Sequence, residues 1–333
     1  MPRINLKKQR PTITQLADEI GVSRATVSRA FSKPHMLTQA TVDKVLAAAQ
    51  RLGYAPNLAA RALRTGQYSN IGLIVPDIAN PFFPPLIHQV QKQADKAGYC
   101  VFLGSTDELP EREDRLINHF LGQIEGMILV SPRLSEEKIR QYATELPVVL
   151  VNRDIEGIPR VLIDSTVGIV EAVQHLADLG HQRILYIAGP EMSWANKQRQ
   201  TAVKQHGQKL GIETLDIAAS FSTFEAGFQV INKVIDSGAT AAIVFDDVMA
   251  QGLLAGLARK GIKTPEQFSV IGCDDVLGSM TYPPLTSISG LTAEAGKIAA
   301  EMCLELHGNI QVSDIKHVLE TKLVIRETTA KIQ

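Results

Sequence analysis

Two short apolar runs end in paired carboxylates, Asp246 and Asp247 after "AIVF" and Asp274 and Asp275 after "VIGC". Paired carboxylates can exchange protons with a substrate, and Asp246 with Asp274 is the pair an enzyme would use. The chain nevertheless lacks G-x-G-x-x-G, a P-loop, G-x-S-x-G and H-E-x-x-H. Its eight histidines lie near no cysteine or serine nucleophile pattern, and Cys100, Cys273 and Cys303 are scattered without C-x-x-C. No catalytic residue, metal site or other cofactor is therefore expected. Recognition fits better. Other apolar runs lead into Asn80 with Phe82 and Phe83, into Asn152 with Arg153, and into Trp194 with Arg199. Planar Asn, Asp and Arg groups bond in bidentate fashion beside flat aromatic faces, which suits the adjacent hydroxyls and C–H faces of a sugar ring. Each strand-end aspartate is equally the residue type that caps a following helix, and Arg199 can pair with one of them in an empty cleft.

A second group carries a different chemistry. "GVSRATVSR" at Gly21–Arg29 is too polar for a core helix. Its small residues let a backbone approach closely, Ser23, Thr26 and Ser28 can bond phosphates or bases, and Arg24 and Arg29 can fork onto guanine.

The elements that must position these groups fall into two kinds. Near the N-terminus, Ile13, Leu16, Ala17 and Ile20 make an apolar stripe at helical spacing. Thr12 with Gln15 is a capping-box start, and Gly21 a stop. Ser23 caps a second helix with Val27, Ala30 and Phe31 inward. Thr38 caps a third, with Val42, Val45, Leu46, Ala49 and Leu52 inward and Gly53 at its end. Two helices joined by a tight glycine turn predict a helix-turn-helix, whose second helix enters the major groove. Charge agrees: residues 1–66 hold 11 Lys/Arg against 3 Asp/Glu, the remainder 23 against 32. A basic head on an acidic body is the pattern of a nucleic-acid reader joined to something else.

From residue 70 onward, apolar runs ("IGLIVPD", "CVFLGSTD", "GMILVSP", "PVVLVNRD", "RILYIAGP", "AAIVFDD", "SVIGCDD") alternate with amphipathic stretches. This predicts an α/β fold with parallel sheets covered on both faces. A change of partner near Asp164–Val167 divides it into two lobes facing a cleft, with ligands expected beyond the carboxyl ends of the strands.

The series "ITQLADEIGVSRATVSRAF" and "VLAAAQRLGYAPNLAARALRTGQYSNIGLIVPD" resembles the N-terminal signature of the lactose-repressor family of bacterial transcription regulators, and the resemblance runs through nearly the whole chain. It implies that positions matching Arg24 and Ala25 help choose the operator, that Thr26, Ser28 and Arg29 lie on the groove-facing helix, and that Thr12 and Ser23 join the DNA-contacting set. "APNLAARALRTG" matches the family's hinge helix, whose Asn57, Ala60, Leu63 and Arg64 face DNA, Leu63 wedging into the minor groove. So short a segment should fold only when paired on DNA. The body resembles periplasmic ribose-binding proteins, which implies ligand contacts at Asn80, Phe82, Phe83, Asn152, Arg153, Arg199, Asp246 and Asp274. Trp194 and Ser222 complete the candidate set. Departures from the family pattern include Asp246, where asparagine is usual, Asn152, often aspartate, and Ser222, where an aromatic frequently stacks.

The expected organisation is a helix-turn-helix domain at 1–56, a hinge at 57–67 and a core at 68–333. Lobe 1 is expected at about 68–165 plus 290–315, lobe 2 at 166–289 plus 316–333. The expected function is a cytoplasmic homodimeric regulator without membrane segments, a repressor on a palindromic double-stranded operator, answering to a small sugar-like or nucleoside-like effector. A corepressor-dependent or activating regulator, and remotely an enzyme using Asp246 and Asp274, are the alternatives. The C-terminus shows no leucine-heptad extension, which argues against a tetramerising coiled coil.

Overall fold

The computed structural model describes residues 11–55, 68–219, 221–306 and 314–332. The chain divides into two compact units, Met1–Tyr68 and Ser69–Gln333. The hinge residues Asn57, Ala60, Leu63 and Arg64 lie outside the described residues.

The first unit contains α1 (Ile13–Ile20), α2 (Arg24–Ser32), a 3-10 turn (Pro34–Met36) and α3 (Gln39–Leu52). Local chemistry sets each boundary. The Gln15 amide donates to Thr12 Oγ1 at 3.3 Å while the Thr12 amide donates to Gln15 Oε1 at 2.8 Å, a reciprocal cap. Gly21 and Gly53 end α1 and α3 at φ 67° and 69°, where a side chain would be strained. Leu16, Ala17, Ile20, Val27, Ala30, Val45, Ala48 and Ala49 form the core. Leu46, expected inside, is 43% exposed; the close approach of three short helices seats the small Ala48 and Ala49 instead and turns the larger side chain outward.

The second unit contains two six-stranded sheets. The first is built from β1 (Asn70–Val75), β2 (Cys100–Ser105), β3 (Met127–Val130), β4 (Val148–Val151), β5 (Arg160–Asp164) and β11 (Lys316–Glu320). Its order is β11-β5-β4-β3-β1-β2, all parallel. The second is built from β6 (Arg183–Ala188), β7 (Glu213–Ala218), β8 (Ala241–Val244), β9 (Ser269–Asp274), β10 (Thr286–Ser289) and β12 (Leu323–Val324), in the order β12-β10-β9-β8-β6-β7, with only β12 antiparallel. Every residue of β3, β4, β8 and β9 is buried, as continuous apolar runs in doubly covered sheets require. Two apolar clusters flank each sheet, one per face. Winding reverses at β1 in the first sheet and β6 in the second. Such switch points open a crevice at the carboxyl ends of the strands.

One expected boundary is corrected. Residues 316–320 belong to lobe 1, not lobe 2: β11 pairs along β5 from Lys316↔Arg160 to Glu320↔Asp164. The strand is largely exposed, so its sequence lacks the apolar signature of a sheet member; what recruits it is the unpaired edge of β5. Arg160 reinforces the junction by pairing with Asp154 and Asp314. Helix α12 (Thr292–Glu305) packs in lobe 1 against α4 (Phe83–Lys96). A Cβ on Gly296 would fall 2.5 Å from the Leu86 carbonyl oxygen, so only glycine permits that approach. The lobes are thus joined by three chain crossings, after β5, β10 and β11. No described helix is long and apolar enough to cross a membrane.

Candidate functional site

In the N-terminal unit, α2 presents its first turn outward. Arg24, Ala25 and Arg29 are exposed, Thr26 and Ser28 half-buried. Neither arginine takes an ion-pair partner among the described residues. The Ser23 hydroxyl accepts the Thr26 amide at 3.0 Å and bonds the Thr26 hydroxyl at 2.9 Å. Thr12 is similarly engaged with Gln15. Both hydroxyls therefore build helix starts first, and leave the guanidinium groups as the free polar reach of this face.

In the core, a cleft is lined by Asn80, Phe82, Phe83, Glu108, Ser131, Arg133 and Asn152 of lobe 1 and by Ser193, Ala195, Arg199, Ser222, Phe245, Asp246 and Asp274 of lobe 2. Asp274 ends β9; every other member follows the carboxyl end of a strand. This is where parallel sheets expose unpaired backbone ends and helix starts, and so where polar side chains gather.

Lobe 2 supplies the charged floor. Asp246 is 1% exposed and caps α11 (Asp247–Arg259), accepting the Met249 amide at 2.8 Å. Its other oxygen accepts Asn80 Nδ2 from lobe 1 at 3.1 Å and the Ser222 hydroxyl. Asp246 is thus a helix cap and a cleft residue at once. Arg199, on α8 (Trp194–Leu210), donates to Asp274 Oδ1 at 2.9 Å, to Ser165 Oγ at 3.2 Å and to the Phe245 carbonyl. Its guanidinium lies 5.1 Å from the Phe245 ring centre. Burial raises the Asp246 carboxyl above the usual range against the hydrogen bonds of Ser222, Met249 and Asn80. Burial also pushes Asp274 up, to about 6, against the pull of Arg199.

Lobe 1 mirrors this with a second ion pair. Arg133 is 5% exposed, pairs with Glu108 and donates to the Ser131 carbonyl at 2.8 Å. The segment that delivers Ser131 and Arg133 is held from behind by Glu113, whose Oε2 accepts the Arg133 and Leu134 amides at 2.8 and 3.2 Å. Of the lining charges, Arg133 is matched by Glu108 and Arg199 by Asp274. Asp246 takes hydrogen bonds only from neutral donors, the Arg199 charge reaching it without contact, so the lining sets three carboxyl groups against two guanidiniums.

Several expected residues are placed otherwise. Arg153 and Trp194 do not line the cleft. Trp194 opens α8, and helical rotation gives the cleft its neighbours: Ser193, then Ala195 and Arg199 one turn apart. Arg153 lies half-buried near Glu113, while Asn152 at φ 55° faces the cleft and braces β5 by accepting the Ile163 amide at 3.0 Å. Phe82 and Phe83 do line the cleft but sit mostly in the lobe 1 core, each 6% exposed, and meet edge to face at 5.1 Å. Asp247 is fully buried, holding Ser287 Oγ at 2.6 Å and the Leu277 amide at 3.1 Å, and Asp275 pairs with Arg326. Sequence reasoning missed Glu108, Ser131, Arg133, Ser193, Ala195 and Phe245. "STDELP" and "SPRLS" do follow strand-like runs, but nothing local marks Glu108 and Arg133 as partners across 25 positions. Among the described residues no group of His, Cys, Asp and Glu could hold a metal ion.

Known proteins resemble this chain along nearly its whole length. Residues 12–57 match the bacterial regulatory proteins of the lacI family, and residues 173–329 match the periplasmic binding protein-like domain. The HTH-type transcriptional repressor CytR of Escherichia coli K12 is 34% identical over 328 residues, spanning 96% of each chain. The Lac repressor dimer bound to operator and the anti-inducer ONPF superimposes with a TM-score of 0.87 at 26% identity, over 97% of this chain and 100% of that one. A regulator from Enterococcus faecium with bound ribose superimposes at 0.71 and 25% identity, over 79% of this chain and 100% of that one.

Proposed function

Because this chain belongs to the lacI family of bacterial regulatory proteins, we propose that it is a transcriptional repressor acting as a homodimer on a palindromic operator, its grip set by a small sugar-like or nucleoside-like effector between the two lobes. The relatives support the repressor role, the dimer on an operator and a sugar effector: one is a repressor, one is a dimer on its operator, and one holds ribose. The observation that carries the reading is that both lobes contribute buried polar side chains to one cleft, with the Asn80–Asp246 hydrogen bond running across it.

A ligand seated there touches both walls. It binds the closed arrangement better than the open one, and only that difference in affinity does regulatory work. The three crossings between lobes are the points about which closure turns. In the first unit, Arg24 and Arg29 supply phosphate or guanine contacts, with Ala25 and Thr26 against base edges. Thr12, Ser23 and Ser28 position the backbone on phosphate. Asn57, Ala60, Leu63 and Arg64 act in the minor groove as the family pattern implies. The relatives are regulators rather than enzymes, and the same role is read for this chain.

The test is selection of duplexes from a randomised pool with the full-length protein, followed by titration of the selected site with sugars and nucleosides at fixed salt. An inverted-repeat site is expected, with affinity changing about 5–150-fold on ligand. No preference over random duplex, or indifference to every compound that binds, overturns the reading.

A further inference from the structure

We propose that the effector is a cation, a polyhydroxylated amine such as an amino sugar, whose ammonium group sits on Asp246. The inference rests on the cleft being the effector site and sharpens it to a charge class.

The argument is one of charge matching. Arg133 and Arg199 are each buried and each already paired inside the protein, with Glu108 and Asp274. An arriving anion finds no uncommitted cation on the wall. Asp246 is the opposite case: 1% exposed, it is held by the Met249 amide, the Asn80 amide and the Ser222 hydroxyl, all neutral. A carboxylate taken from water into a site where no cation touches it is costly, and a ligand ammonium supplies that contact. The donor it displaces is the one that can leave. Met249 is fixed in α11 and Ser222 belongs to the same lobe, whereas Asn80 reaches over from lobe 1, and its Oδ1 stays anchored on the Phe82 amide at 2.9 Å. A ligand whose ammonium donates to Asp246 while a neighbouring hydroxyl accepts from Asn80 Nδ2 would keep the two lobes bridged, with a full cation now on the carboxylate. The hydroxyls of the same ligand find Ser131, Asn152 and Ser193 around them.

The same chemistry predicts rejection. A phosphorylated sugar brings negative charge to a wall that already sets three carboxyl groups against two guanidiniums. A neutral hexose replaces the Asn80 contact without compensating Asp246.

The experiment is calorimetric titration of the full-length protein with glucosamine, galactosamine and mannosamine, each against its parent hexose and the hexose 6-phosphate. At least one amine is expected to bind about tenfold or more tighter than its parent, the scale of a close charge pair, with the phosphates weakest. In Asp246→Asn, which keeps the helix cap, the ratio of amine to parent-hexose affinity is expected to fall to about one. Binding in which no amine exceeds both its parent hexose and its phosphate overturns the inference, as does a preference that survives Asp246→Asn; both leave the sugar cleft standing. Binding by none of the nine compounds overturns the charge class and the sugar cleft together.

Discussion

Glu113 makes the sharpest test of how the cleft is held. It lies on α5 (Pro110–Phe120), 2% exposed, with Oε2 on two backbone amides and no hydrogen-bond partner for Oε1. Burial pushes its carboxyl up to about 7, against the Arg133 and Leu134 amides and the charges of Arg133 and Arg153. The ordinary value is 4.5. A folded value above the unfolded one means that the folded chain binds the proton more tightly. Stability from this group is complete below about pH 4.5 and is lost as pH rises through about 7. The full loss is on the order of 3 kcal/mol, of which about 2 kcal/mol develops between pH 5.5 and 8. His175 and His181 act in the other direction, since burial lowers both below 6.5; their contribution is present above about 6.5 and lost as pH falls. Total stability therefore blends opposing slopes, and Glu113→Gln separates them. Urea unfolding followed by circular dichroism at the two pH values should show the variant gaining about 2 kcal/mol on the wild type from pH 5.5 to 8. A difference between the two proteins that does not change with pH would refute the reasoning.

Other substitutions probe other links. Arg199→Ala should leave operator binding intact and abolish the effector response in a titration of the selected duplex; loss of both together counts against the cleft assignment. The same change strands Asp274 and should cost about 3–5 kcal/mol, much of it recovered by adding Asp274→Asn, with no recovery of response. Gly227→Ala would place a Cβ 2.0 Å from the Met249 carbonyl oxygen, forcing α9 (Phe224–Gln229) off α11. A loss of about 1–3 kcal/mol or more in unfolding free energy is expected, and an unchanged midpoint contradicts that close packing. Ser23→Ala removes the α2 cap and should cost about 1 kcal/mol of head stability, read from thermal melting. Leu63→Ala should weaken binding to the selected operator far more than to random duplex at equal salt; equal weakening would leave Leu63 no role in specificity.

What the sequence determined by itself is what acts over one turn or one pleat. Thr12 with Gln15, Ser23, Thr38, Gly21 and Gly53 mark helix ends because a cap needs only partners a few positions away. The apolar runs of β3, β4, β8 and β9 declare strands buried on both faces. Strand ends in a parallel sheet collect ligands, so Asn80, Asn152, Arg199, Asp246 and Asp274 were legible as a set before any distance was known.

Tertiary structure decided the rest, because it depends on elements meeting from far along the chain. The exposed β11 finds its place only because β5 has an open edge. The helical phase of α8 gives the cleft Ser193 and Ala195 in place of Trp194. Phe82 and Phe83, adjacent and set between Pro81 and Pro84, turn into the lobe 1 core, where most of their surface leaves water. Above all, the charge balance of the cleft is set by pairings at long range, Arg133 with Glu108, Arg199 with Asp274, and Asp246 with Asn80 across 166 positions. No local pattern encodes which carboxylate is left without a cation in contact; the packing of two lobes does.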